Sequence, residues 1–386
     1  MTAFAQTTAG ANRPSTRLAT RLSFLVAGFG LACWAPLVPY AKDRLGVDDG
    51  VLGGMLLCLG LGSVAAMLAT GALSARYGAK PIILAGGFGL ALFLPVLTIA
   101  DTPLTLGIAL ALFGASLGSI DVAMNIHAVE VEKDAPKPLM SGFHALFSIG
   151  GFAGALLVTL LLSAKAGPLL TTLLCSVVML AAMAFTWPRL LSTVPADDAP
   201  LFVAPRGIVI LLSALAAITF LVEGAVLDWS ALLLTSEGRV EPSQGGIGYM
   251  LFAIAMTVGR LCGDAITAKL GDRPTLLWGG IVAIVGFAVL LLAPGTVLAM
   301  SGFLLIGLGA SNIVPVLFRR AGSQTVMPSG LAVAAITTTG YAGVLVGPAG
   351  VGFVAKYTGL PISFWLLAAL LLLVPLCAGI VTRRAN

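Results

Sequence analysis

The chain has 386 residues, 59% of them hydrophobic and 10% charged, with a formal net charge of +5. Soluble domains average roughly 45–50% apolar and about 25% charged residues, so no water-soluble fold could hide this much apolar surface, and the composition is that of an integral membrane protein. The cationic surplus needs no nucleic-acid partner, because membrane topology accounts for it.

The apolar runs last about 20 residues, the length a helix needs to cross ~30 Å of hydrocarbon. The period-2 alternation of a β-barrel is absent, which leaves α-helices as the spanning element. After a polar, Arg-bearing leader over 1–17, spans are predicted at 18–40, 51–75, 82–100, 103–129, 140–163 and 168–188. A polar linker at 189–206, containing Pro195-Ala-Asp-Asp-Ala-Pro200, divides the chain. Spans at 207–234, 246–268, 275–293, 296–318, 329–355 and 360–381 follow, so the second bundle covers 207–382. The expectation is an all-α membrane protein with twelve transmembrane helices in two six-helix bundles, 18–188 and 207–382.

An even number of spans puts both termini on one side. Fifteen of the 21 Lys and Arg residues fall on that side, counting Arg21 at the very start of the first span, five fall opposite, and Arg260 lies well inside a span. The positive-inside rule makes the terminus-bearing side cytoplasmic. This predicts a multi-pass membrane protein with both ends in the cytoplasm.

The two bundles are copies. A short hydrophilic break, Gly71-Ala-Leu-Ser-Ala-Arg-Tyr-Gly-Ala-Lys-Pro81, recurs 193 residues later as Asp264-Ala-Ile-Thr-Ala-Lys-Leu-Gly-Asp-Arg-Pro274. Gly50, Gly53, Met55 and Leu56 match Gly245, Gly248, Met250 and Leu251 at an offset of 195, as Trp34 matches Trp229 and Gly114-Ala-Ser116 matches Gly309-Ala-Ser311. The break resembles the loop signature of the major facilitator superfamily (MFS). That resemblance implies parallel six-helix halves with pseudo-two-fold symmetry and a solute site between them near the midplane. It also implies gating roles for Gly71, Arg76 and Gly78. Family loops carry Asp at the fifth position of the signature, where both copies here have alanine, Ala75 and Ala268. Arg260 and Asp264, four apart on the eighth span and so on one face, are candidates for a substitute latch or for a plain helix-stapling pair.

An ionisable side chain in hydrocarbon costs about 2.5–3.5 kcal/mol on insertion scales, so each needs a reason. Asp121 shares a face with Asn125 in the fourth span, with Gly114 and Gly118 leaving room for a neighbour or a solute. About 17 residues at ~1.5 Å each put Asp121 in the cytoplasmic half of its span and Glu223 in the outer half of the seventh. A carboxylate so placed can take up and release a proton, so Glu223 and Asp121 are the candidate proton-coupling groups, against the alternative of carboxylates tied into local hydrogen bonds. Asp228 falls nearer the outer surface. Arg260, the one embedded base, is expected near an inner gate.

The patterns Asp121-Val-Ala-x-Asn125 and Glu223-Gly-x-x-x-Asp228-Trp229 resemble those of a branch of uncharacterised bacterial MFS permeases related to fucose permeases. Fucose permeases also carry an acidic residue on the first helix, and the first span here has none. Trp34, beside Pro36 and Pro39, suits a cavity platform, whereas Trp229 suits an interfacial anchor. Asn125, Asn312 and Tyr341 are further candidate solute contacts. His127 and His144 flank a cytoplasmic loop and are expected at a water boundary rather than in a relay.

Five cysteines sit inside apolar runs with no C-x-x-C pair, which reads as small packing residues, not metal ligands or disulfides. Gly114-Ala-Ser-Leu-Gly118 matches G-x-S-x-G, but a nucleophile elbow needs a strand-to-helix turn, and the same residues match the close-packing G-x-x-x-G pattern. No phosphate loop, catalytic cluster or cofactor motif is present, so an enzyme is not expected. The function expected is secondary active transport, by alternating access and proton-coupled, of a sugar-like solute or a lipophilic or cationic compound. The protein is expected to act as a monomer. A non-transporting receptor or scaffold built on a transporter fold is the alternative.

Overall fold

The computed structural model describes residues 12–192, 204–241 and 244–383. Among these residues every regular element is helical, and twelve helices are long and apolar enough to cross a membrane. Most of the linker, 193–203, and the start of the leader lie outside the described residues. Leu61, Leu68, Leu92, Leu112, Leu292 and Val297 point outward from their helices. Such a surface is tenable only against lipid.

The chain forms two compact units. One holds the chain through Pro136 and Leu146–Ala204, the other Lys137–Ala145 and everything from Pro205 onward. In the first, Gly150 and Gly154 of the fifth span lie against the Leu25 and Phe29 carbonyls of the first span. In the second, Gly343 and Gly347 of the eleventh span lie against the Ala217 and Leu221 carbonyls of the seventh. The two Gly-x-x-x-Gly pairs are 193 residues apart. A Cβ at Gly150, Gly154 or Gly343 would strike backbone and one at Gly347 would crowd it, so these glycines let the helices approach closely. The repeat thus survives as repeated packing within each unit.

The hydrophilic break is smaller than its sequence implies. The second span, Asp49–Tyr77, continues as helix through Gly71 and Arg76, and the third begins at Ala79. Gly78 alone turns the chain, at φ +80°, and Gly271 does the same at φ +85° between Ile247–Leu270 and Asp272–Leu292. A Cβ is disfavoured in this left-handed region, which is why each copy needs glycine there.

Three spans are interrupted just upstream of a proline. The first passes through a short 3₁₀ turn, Ala35–Leu37, ahead of Pro39. The tenth divides into Thr296–Ala310 and Ile313–Ser323 ahead of Pro315. The twelfth divides into Leu360–Leu371 and Leu373–Val381 ahead of Pro375. Proline has no N–H for the carbonyl four residues back and its ring crowds that carbonyl.

At the other end of each unit an arginine reaches across a loop. Arg44 donates to the carbonyls of Thr98 (2.5 Å), Leu97 (2.9 Å) and Ala100 (3.0 Å), where the third span runs out of intrahelical donors. Arg239 donates to Ala293 O at 2.9 Å at the end of the ninth. Both the arginines and the acceptors Thr98 and Ala293 are 195 residues apart. Each guanidinium satisfies orphan carbonyls and sits at the negative end of a helix dipole.

Candidate functional site

The seventh span, Ile208–Ser236, carries Glu223 on the same helix as Gly224, which lies against Val344 of the eleventh. The eighth span carries Arg260 between Gly259 and Gly263. Arg260 Nη2 lies 3.6 Å from Glu223 Oε2, with side-chain exposures of 8% and 17%. Position along the helix puts Arg260 near an inner gate and Glu223 farther out, but the long arginine side chain closes that gap, and the two groups form one ion pair. Glu223 Oε1 is buried without a hydrogen-bond partner among the described residues.

Arg260 is also held from the tenth span. Its Nε–H donates to the Ser311 carbonyl at 3.4 Å. Asn312 Nδ2 donates to Gly259 O at 3.0 Å and to Ser311 Oγ at 2.9 Å. These bonds need close approach: a Cβ on Gly259 would strike Ser311 Oγ, and one on Gly263 would strike Asn312 Oδ1. Asn312, picked out as a solute contact, therefore also braces one helix against another.

Asp264 accepts from the backbone N–H groups of Ser141 (3.0 Å) and Gly142 (2.9 Å), in the first turn of the fifth span. The residues leading into that helix, Pro138-Leu139-Met140, include no side chain able to cap it. Asp264 supplies the cap from another helix, and its negative charge suits a helix N-terminus. The four-residue spacing of Arg260 and Asp264 does not disclose either of these further partners, Glu223 and the helix start.

In the first unit Asp121 and Asn125 are both buried and share a face as expected. Asn125 Nδ2 donates to Asp121 O at 2.9 Å and to Oδ1 at 3.3 Å. The space beside Gly114 and Gly118 is filled by the second span, whose Leu59 and Ser63 carbonyls lie where Cβ atoms would be. It is a helix contact, not room for a solute.

Both histidines depart from expectation. His127 is 2% exposed and His144 9%. His127 Nε2 accepts from Leu191 N–H at 3.0 Å, so the ring proton sits on Nδ1 and points to Thr20 Oγ1 at 3.2 Å. Thr20 passes the chain on to Thr16 O. Counting back from the loop put these rings at water, but the helix Pro103–Lys133 extends past His127, and residues 190–192 fold back over it. The His144 ring lies against Phe318, centroids 5.5 Å apart.

Of the remaining candidates, Trp34 ends the first helix with its indole buried and Nε1 unpartnered among the described residues. The Trp229 ring instead covers Gly352 of the eleventh span. The Tyr341 ring meets Phe220 at 6.1 Å. Arg76 is exposed, its guanidinium 5.5 Å from the centre of the Tyr77 ring.

The family model of the Major Facilitator Superfamily matches residues 22–326. The chain belongs to this superfamily. An uncharacterized MFS-type transporter of Yersinia pestis is 49% identical over 370 residues, covering 96% of each chain. The membrane protein MosC of Rhizobium meliloti is 29% identical, over 89% of this chain and 85% of its own. Among solved structures, the E. coli fucose:proton symporter FucP aligns over 96% of this chain and 99% of its own, at 15% identity and a TM-score of 0.75. The proton:xylose symporter XylE aligns over 95% of each chain at 13% identity, also with a TM-score of 0.75. At such identity these two speak for the fold alone. This MFS protein is therefore a multi-pass membrane transporter, not an enzyme.

Proposed function

We propose that this MFS protein is a proton-coupled secondary transporter of a small, uncharged polar solute, acting by alternating access in a bacterial inner membrane with both termini cytoplasmic. The observation that carries the reading is Glu223, a carboxylate inside a membrane span with one oxygen facing Arg260 and the other unpartnered among the described residues. The unpartnered oxygen is the place for a proton. Protonation there neutralises Glu223 and weakens its hold on Arg260, which frees a guanidinium N–H to meet a solute. Loss of the proton restores the ion pair and withdraws that donor. This couples proton binding to the affinity of the site.

The solute class follows from charge. The pair is neutral overall while it is formed, and among the described residues Arg260 is the one basic residue well away from the ends of its span, so neither a strongly anionic nor a cationic solute gains a full counter-charge. A neutral molecule with several hydroxyl groups makes the best use of a guanidinium donor and a carboxylate acceptor. Asp121 is the second candidate for the coupled proton. Trp34, Asn125, Asn312 and Tyr341 are the proposed solute contacts, and Gly71, Arg76, Gly78 and Asp264, together with Arg260, serve gating.

The test is reconstitution into liposomes with an imposed pH gradient and a panel of neutral sugars and polyols beside cationic dyes. A neutral polyhydroxy solute should accumulate against its gradient and be lost when a protonophore is added. Accumulation of the dyes alone would replace the solute class with lipophilic cations. Absence of gradient-dependent flux for the whole panel, with no pH-sensitive binding, would favour the non-transporting receptor.

A further inference from the structure

We infer that the interruption of the tenth span is a positioning device for Arg260, set by Pro315. The reasoning starts from the sequence Ser311-Asn-Ile-Val-Pro315. In an unbroken helix the Ser311 carbonyl would accept from the N–H of residue 315. Proline has none, so that carbonyl is left without its helical donor in the middle of a membrane span. The neighbouring rung is intact, since Val316 N–H still donates to Asn312 O at 3.2 Å. The Ser311 carbonyl is left for a donor from outside its own helix. The donor that takes it is the Arg260 Nε–H, at 3.4 Å.

A guanidinium is planar and has Nε and the two Nη groups in a fixed fork. Anchoring Nε therefore decides where the Nη groups point, and Nη2 points at Glu223. Asn312 stiffens the anchor through its bonds to Gly259 O and Ser311 Oγ, which tie the residues flanking the break to the residue just before Arg260. Gly259 and Gly263 make the contact possible by leaving the eighth helix bare on that side. The bonds of Ser311 and Asn312 run to Arg260 and Gly259. These residues, with Pro315, act through Arg260 and are positioning residues. Their consequence for coupling rests on the proton-coupling reading above, but the anchor itself does not.

The experiment uses the full-length protein in lipid nanodiscs, ¹⁵N-labelled on arginine, with the Arg260 Nε–H resonance assigned by its loss in Arg260→Lys. In the wild type this proton should exchange slowly with water. In Pro315→Ala, residue 315 regains an N–H that competes for the Ser311 carbonyl, and Nε–H exchange should quicken by about tenfold or more, the scale of one hydrogen bond to a charged group. Asn312→Ala should quicken it to a lesser degree, and decides the matter alone if Pro315→Ala does not fold. Unchanged exchange in the variants that fold overturns the inference. Glu223→Gln separates this idea from the transport reading. A protected Arg260 signal with gradient-driven uptake abolished supports both, whereas a protected signal with full uptake keeps the anchor and removes the coupling role.

Discussion

If Glu223 and Arg260 form a buried ion pair, removing one partner should hurt more than removing both charges. At 3.6 Å and an effective dielectric constant of ~20, the mutual attraction is about 4–5 kcal/mol, similar to the 3–5 kcal/mol typically lost when one half of a buried pair is deleted. For a unit of this size, ~1 kcal/mol moves the melting temperature by about 2–4 °C, so Arg260→Leu should lower it by about 10 °C. Glu223→Gln should also destabilise, by less, because Arg260 keeps its bond to Ser311. The double variant should recover more than half of the loss. The assay is thermal unfolding in detergent, followed by calorimetry, which registers the melting of either unit. Acidification from about pH 8 to about pH 5 should raise the melting temperature of Arg260→Leu specifically, since it neutralises the orphaned carboxylate. Additivity of the single substitutions to within about 0.5 kcal/mol would refute the pairing.

Three further outcomes follow from contacts within single units. Arg44→Ala should cost more than Arg239→Ala, about 1–2 kcal/mol against less than ~1, because Arg44 serves three carbonyls and Arg239 one; the same melting assay reads the difference. Gly263→Ala should destabilise by more than ~2 kcal/mol, its Cβ meeting Asn312 and lying 2.7 Å from Ser141 Cβ, whereas Gly53→Ala, with nothing within 4 Å, should be neutral or mildly stabilising. His127→Phe removes the acceptor for Leu191 N–H, and limited proteolysis after residue 190 should quicken with little change in melting temperature; an unchanged cleavage rate would mean the histidine does not hold this segment.

Much of this protein is legible in its sequence because the bilayer simplifies the problem. A helix is the only way to satisfy the backbone in a long apolar run facing lipid, so twelve runs give twelve helices among the described residues. The glycines of the two loops announce themselves by recurring 193 residues apart, and they do turn the chain. What stays hidden is whatever depends on a partner without sequence identity. The acceptors of Arg44 and Arg239 are backbone carbonyls, so two clasps 195 residues apart pass as ordinary loop cations, although the offset itself was a usable signal. The helix start that Asp264 caps lies some 120 residues away, beyond what its i,i+4 spacing from Arg260 can disclose. Depth along a helix axis likewise separated Glu223 from Arg260, since counting residues ignores tilt and the reach of an arginine. The role of Ser311 was in principle readable, because Pro315 names the carbonyl it leaves unpaired.

The central claim is that a proton on Glu223 drives transport, and the most direct test compares two modes of one protein. Once a transported solute is known, Glu223→Gln should still exchange labelled for unlabelled solute across liposomes at equilibrium, yet fail to accumulate it under an imposed pH gradient. Full accumulation by Glu223→Gln would contradict the account.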